Sequence, residues 1–292
     1  MPSTPDAAPL PAPLASRVGE LEQRFSGTLA LWVHDLRRRQ VYGLRDGETF
    51  DPASTIKLFV LWELYRQAEA GLVELDDEVT VERRDAVRGS GVLKDLTPGR
   101  VRLTLRDAAV LMITVSDNTA TNILIDRLGP GAINRTSWNA GFQGTWLQGK
   151  LMRSRTRRSR TTPRDLGTLL TRLAQGARGS PPIGNQLVSR PASTAMLDIL
   201  RREQSDVVVG RLLPDDTYDC TARRTTWKVA SKSGSIHGHR HDAALVEGQG
   251  LRYVIVLMSR DGQDTRFTVD NEASVCLAQV ARAVHDHIAE GR

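Results

Sequence analysis

β-type periodicity occurs in two blocks at opposite ends of this chain, with helical periodicity between them, and that order restricts the fold more than any other feature. Thr28 to His34 alternates, with Leu29, Leu31 and Val33 on one face, and Gln40 to Leu44 fits a partner strand across the polar Asp35–Arg39 segment. Strand signals return only at Trp227–Ser231, Asp242–Glu247 and Leu251–Met258, the last two joined by the tight-hairpin signal Gly248-Gln249-Gly250. Helical stripes bracket both blocks. Val18, Leu21 and Phe25 recur at spacings of three and four within Ala15–Phe25, and Asn271–Ala289 reads as a closing helix.

The stretch between the blocks is helical in pattern. Leu58, Leu61, Leu64, Tyr65 and Ala68 form a stripe through Thr55–Ala70, which Gly71 stops. Leu105–Met112 and Thr119–Leu128 read as helices, and another runs from about Ser193 to Arg202. Thr162 as cap and Pro163 in the first turn start one more. The expected architecture is therefore α/β (α+β): an antiparallel sheet covered by its terminal helices, with an inserted all-helical lobe. The sheet lobe is expected over residues 15–52 and 207–292, the helical lobe over 53–206, and residues 1–14, rich in Pro and Ala, as a flexible tail.

Composition matters at three points. The 292 residues are enough for a substantial core, and no apolar run approaches a membrane-spanning length. The net charge of +6 is carried almost wholly by Arg; lysine occurs only at 57, 94, 150, 228 and 232, so a lysine at a motif position carries weight. Cys220 and Cys276 lack metal-binding spacing and read as two buried free thiols. The first residues lack the basic start and apolar stretch of a secretory signal. The expected compartment is the cytoplasm, or the periplasm or exterior if a signal has been removed.

Three short motifs carry chemistry. In Ser54-Thr55-Ile56-Lys57 a hydroxyl and an amine share one face at a helix start, where free N–H groups and the dipole favour an oxyanion. Ser116-Asp117-Asn118 follows the apolar run Leu111–Val115; Ser116 can relay a proton and Asn118 can hold a substrate amide. Lys232-Ser233-Gly234, followed by Ser235, falls on a strand; Lys232 and Ser233 suit an anionic group and Gly234 admits a close backbone. Each alone has a plain explanation, as a helix cap, a helix-start cluster or a polar strand end. In this order, together, they are the set found in class A β-lactamases and penicillin-binding proteins.

The chain thus resembles the class A β-lactamase and D,D-peptidase family from about Val18 to the C-terminal helix. Gly89-Ser90-Gly91-Val92-Leu93, Asn122 and Thr161-Thr162-Pro163 resemble a cleft-rim loop, a structural Asn and a helix start of that family. The resemblance implies that Ser54 is acylated, Lys57 is a base and Ser116 protonates the leaving group. It implies that Lys232 and Ser233 bind a substrate carboxylate, and that the N–H groups of Ser54 and Ser235 form an oxyanion hole. Arg240 and His241, with Arg211 as an alternative, fall near where relatives place a further carboxylate-binding residue.

One departure changes the chemistry. The family activates the deacylating water with a Glu between the second motif and Thr-Thr-Pro, yet no Asp or Glu occurs from Arg127 through Arg164. The segment instead holds Lys150, Arg153, Arg155, Arg157, Arg158 and Arg160, a solvated loop or an attractor of an anionic partner. Aromatic residues do not interleave with it, and nucleic acid is not expected. His237, His239 and His241 alternate and on a strand would share one face, but a loop beside the cleft is the favoured reading, and no metal and no cofactor are expected; His34, His285 and His287 read as structural or surface.

The expectation is a serine hydrolase acting through Ser54 on an ester or amide that bears a carboxylate, such as a D-Ala-D-Ala-like peptide or a β-lactam, with weak or absent β-lactam turnover. The alternatives are a working β-lactamase with a substitute deacylating group, and a non-catalytic acyl-sensor or ligand-binding module.

Overall fold

The computed structural model describes residues 7–153, 158–179, 187–205, 208–214 and 226–291. In chain order the elements begin with β1 (Ala8–Pro9), α1 (Ala12–Gln23), β2 (Thr28–Asp35), β3 (Gln40–Leu44) and α2 (Lys57–Glu69). Next come β4 (Glu78–Thr80), β5 (Arg102–Thr104), α3 (Leu105–Thr114), α4 (Asn118–Leu128) and α5 (Pro130–Asn139). The chain closes with α6 (Pro163–Arg178), α7 (Arg190–Leu200), β6 (Lys228–Ile236), β7 (His239–Gly248), β8 (Leu251–Arg260) and α8 (Glu272–Glu290). These elements cluster as two compact units, 3–55 with 161–171 and 206–292, and 56–160 with 172–205. Among the described residues no helix is long and apolar enough to cross a membrane.

Among the described residues the sheet unit holds six strands in the order β1-β3-β2-β8-β7-β6. Early and late strands meet at β2 and β8, antiparallel, with Leu31 opposite Leu257 and Val33 opposite Ile255. The alternation read in the sequence sets the faces: Leu29, Leu31 and Val33 join Ile255, Leu257 and Val246 in one apolar cluster with Leu14 and Val18 of α1 and Leu277, Val280 and Val284 of α8. Each such side chain, fully buried, contributes roughly 1.5–3 kcal/mol. The hairpin between β7 and β8 turns on Gln249 and Gly250, with φ of 42° and 77°. Both are left-handed, as a two-residue turn matching strand twist requires. Asn271 caps α8, its side chain accepting from the Ser274 N–H.

Two expectations for this unit need correction. Residues 7–14 are not a tail: Ala8 and Pro9 pair with β3, in parallel, and α1 begins at Ala12. The sheet is therefore mixed at that edge. Residues 161–171 also belong with the sheet, not with the helical lobe. Phe50 and Thr161 exchange backbone hydrogen bonds at 2.9 and 3.0 Å, and the Arg164 guanidinium reaches Asp46 at 2.7 Å. Where α6 starts, Gly167 lies against Trp32 so closely that a Cβ would stand 2.0 Å from the indole. Only glycine fits there.

The helical unit is built around α2. Phe59 and Trp62 meet Phe142 edge-on, with ring centroids 5.3 and 5.5 Å apart, and the Arg172 guanidinium covers that ring. Glu63 is buried on the same helix and accepts from Arg66 and Gln67. This unit is not all-helical. Strands β4 and β5 pair antiparallel, Glu78 opposite Thr104; at three residues each they are too short to show a period. Helix α5 also gave no sequence signal, because it buries only Ile133, Asn134 and Ser137 and two of these are polar.

Candidate active site

Ser54 sits in a 3-10 turn, Ala53–Ile56, that leads into the first residue of α2, Lys57. The breaker Asp51-Pro52-Ala53 shapes this turn. The Asp51 carboxylate accepts from the Ala53 N–H at 3.2 Å, and Ala53 takes a φ of 46°, a left-handed value costing roughly 1–3 kcal/mol for a residue with a Cβ. The Pro52 carbonyl accepts from both the N–H and the hydroxyl of Thr55, at 3.0 and 2.7 Å. Ser54 itself is half-buried.

The third motif lies beside this turn within the sheet unit. At Gly234 on β6 a Cβ would stand 3.1 Å from the Pro52 carbonyl and 3.1 Å from the Ser54 nitrogen. The absence of a side chain lets the strand carrying Lys232 and Ser233 come up against the backbone of Ser54. Lys232 and Ser233 are buried, and Ser235 is exposed one step past the glycine.

In the helical unit Lys57 and the second motif meet. Lys57 Nζ, fully buried, donates to the Ser116 carbonyl at 2.7 Å, to Ser116 Oγ at 3.0 Å and to Asn118 Oδ1 at 2.9 Å. Of these three acceptors only the Ser116 hydroxyl has a proton of its own. It can therefore turn and donate when the amine is neutral, which makes this the contact through which a proton can pass. Ser116 is held there by a φ of 54°, a strained value at the residue that faces the amine. Asn118 Nδ2 donates to the Arg88 carbonyl at 3.1 Å, leaving its second N–H for another acceptor.

Asp117 was given no role in the sequence, and its role is to fasten the rim. One carboxylate oxygen caps α4 through the Ala120 N–H at 2.9 Å. The other accepts from Val92 at 2.7 Å and Leu93 at 2.9 Å. Gly91, at φ of 106°, leaves room for this: a Cβ there would lie 2.3 Å from the Asp117 carboxylate, while a Cβ on Gly89, at φ of 95°, would lie 2.5 Å from Asn118 Nδ2. The spacing Gly-Ser-Gly was the available signal.

The segment without acids is held by two asparagines that repeat one device. Asn134 of α5 bonds both backbone groups of Leu147, at 2.8 Å each. Asn122 of α4 bonds both backbone groups of Leu151, at 3.1 and 2.7 Å. Trp146 and Arg160 close the base as an isolated antiparallel bridge. Of the basic run, Lys150 pairs with Asp126 and Arg153 donates to the Arg84 carbonyl at 2.7 Å, whereas Arg155 and Arg157 lie outside the described residues.

Arg240 and His241, expected to bind a substrate carboxylate, are both turned to protein partners. The buried Arg240 guanidinium donates to the carbonyls of Ile236, His239 and Arg266 and lies 4.7 Å from the Phe267 ring centroid. His241 is 1% exposed; its Nε2 bonds the Asp51 carbonyl at 2.8 Å and its Nδ1 accepts from the Ser259 N–H at 3.3 Å. Those partners require a proton on Nε2 and none on Nδ1. Burial pushes the imidazole pKa down to about 3, keeping it neutral. His241 therefore holds the backbone that precedes Ser54. Arg211, the alternative, donates to the Val269 carbonyl. Cys276 is buried and its thiol is pushed up to about 11 by burial, while Cys220 lies outside the described residues.

Comparison with known proteins gives a consistent result. Residues 13–288 match the family described as Beta-lactamase enzyme family. A β-lactamase of Rhodobacter capsulatus is 27% identical over 93% of this chain and 87% of its own length. The solved structure of PBP-A superposes with a TM-score of 0.82 at 27% identity, over 99% of this chain and all of its own. A leucine-to-glutamate variant of PBP-A, solved as an acyl-enzyme complex with penicillin G, superposes with the same TM-score and identity over 98% of this chain.

Proposed function

The chain belongs to the Beta-lactamase enzyme family and is a β-lactamase-like serine hydrolase, and from that premise we propose that it works through an acyl-enzyme on Ser54 that it releases from β-lactams slowly. The observation that carries this reading is the 3.0 Å contact between Lys57 Nζ and Ser116 Oγ. In its neutral form Lys57 takes the Ser54 proton as Oγ attacks the substrate carbonyl. Lys57 then passes a proton through the Ser116 hydroxyl to the leaving nitrogen or oxygen. The N–H groups of Ser54 and Ser235 receive the oxyanion, and Lys232 and Ser233 hold the substrate carboxylate. Asn118, anchored to Lys57 and Arg88, orients a substrate amide with its second N–H.

Deacylation is the slow half. No Asp or Glu occurs from Arg127 through Arg164, and the residue held by Asn122 is Leu151. A missing positioned base lowers the step it serves by roughly 10²–10⁴-fold. Esters and D-Ala-D-Ala-like peptides, whose acyl-enzymes Lys57 can release, are the favoured substrates. A β-lactam acylates Ser54 and is released slowly. The rival reading, an efficient β-lactamase with a substitute base, is supported by relatives named β-lactamase.

A fluorescent penicillin followed by intact-mass analysis tests the proposal. One persistent adduct is expected on the wild type and none on Ser54→Ala. Rapid, Ser54-dependent turnover of a chromogenic cephalosporin would favour the rival, and neither an adduct nor turnover with any β-lactam would remove both.

A further inference from the structure

Three of the five tryptophans are buried to within 2% exposure, but Trp138 and Trp146 are 52% and 43% exposed. Both line the same cavity, of about 460 Å³, between α5 and the base of the acid-free segment. Leaving a large apolar side chain open forgoes roughly 1.5–3 kcal/mol of burial, so two on one cavity form a feature that folding alone does not favour. The walls are fixed in advance. Trp146 is locked by its backbone pairing with Arg160, and Asn134 clamps the neighbouring Leu147 at both backbone groups. Arg135, Asn139 and Gln148 complete the polar part of the lining, and their side chains make no hydrogen bond or ion pair among the described residues. Among the described residues no carboxylate lines the cavity, and the Arg135 guanidinium in its wall disfavours a cation.

We propose that this cavity is a saccharide site for a disaccharide-sized segment of an acidic glycan. A pyranose ring has apolar C–H faces, which lie on the flat indoles, and a belt of hydroxyls, which bond the amides of Asn139 and Gln148. A ring carboxylate pairs with the Arg135 guanidinium, whose planar donors match it. The volume lies within the ~300–1,000 Å³ of small-ligand sites. A purely apolar occupant would leave the three polar side chains without partners. The site shares no residue with Lys57, Ser116 or Asn118, so it stands apart from the acyl-transfer reading.

The test uses the full chain with cellobiose and cellobiouronic acid, the same two rings without and with a carboxylate, followed by calorimetry and ligand-observed saturation-transfer NMR. Saturable binding of the acid is expected, weaker for cellobiose. Trp138→Ala and Trp146→Ala should each weaken it roughly tenfold, the loss of one stacking wall. Arg135→Gln should remove the preference for the acid while keeping cellobiose binding. Penicillin labelling of all three variants should equal that of the wild type, which also reports that they fold. Absence of saturable binding by either sugar overturns the proposal. So does binding that survives both tryptophan substitutions, or binding that penicillin acylation blocks.

Discussion

Replacing His241 with leucine should slow acylation of Ser54 although the side chain is not expected to touch substrate. The imidazole bonds the Asp51 carbonyl at 2.8 Å and receives the Ser259 N–H at 3.3 Å in a site 1% exposed. Leucine fills similar space but makes neither of these two hydrogen bonds, each worth roughly 0.5–1.5 kcal/mol net. A loss of roughly 1–3 kcal/mol is expected, within the ~5–15 kcal/mol of a typical domain. The protein should fold with a lowered melting temperature. The larger consequence is local. Ala53 holds a strained φ of 46° two residues after Asp51, and with the carbonyl released the turn can relax and carry Ser54 with it. Displacement of a reacting group by about an ångström costs up to ~10²-fold, so the first-order acylation rate should fall roughly 10–100-fold with penicillin affinity little changed. His241→Gln places an amide N–H near the position of Nε2 and should recover most of the rate. Stopped-flow acylation by a fluorescent penicillin, well below each melting temperature, separates the two constants. Wild-type acylation by the leucine variant, or a glutamine variant no better than leucine, would refute the reasoning.

Three further outcomes are expected. Leu151→Glu puts a carboxylate on the residue that Asn122 fixes, and should accelerate release of the penicilloyl group by roughly 10²–10⁴-fold in a pulse-chase mass measurement; an unchanged release rate would show that Leu151 is not where the base is missing. Gly234→Ala should slow acylation and Gly234→Val should block it, both with folded protein by circular dichroism, since an added Cβ would stand 3.1 Å from the Ser54 nitrogen; full activity in the valine variant would contradict the close approach. Burial lowers the pKa of His34 to about 4 and of His241 to about 3, so both are neutral in the folded chain while the unfolded chain gains their protons near pH 6.5. Their contribution is complete above pH 6.5 and is lost as pH falls toward 4, by at most about 3 kcal/mol each over that window. Urea unfolding across this range should show the slope, reduced in His241→Gln.

Much of the molecule was legible because it is written in local patterns. The apolar face of β2, the stripe of α2, the closing helix α8 and the turn at Gln249-Gly250 follow from periodicity and from what single residues permit. The three motifs were found because each occupies a few consecutive residues. Elements below the length of a period, β4 and β5, and a helix with a mostly polar buried face, α5, left no such trace. The folded chain alone decided what depends on distant pairing. Arg240 and His241 are adjacent letters near the third motif, and nothing local distinguishes a ligand for substrate from a ligand for backbone. The register of β7 against β6 and β8 sets His241 opposite Gly234 and Met258 and brings its ring to a carbonyl 190 residues away. Side-chain chemistry is a property of the residue, but its partner is a property of the topology.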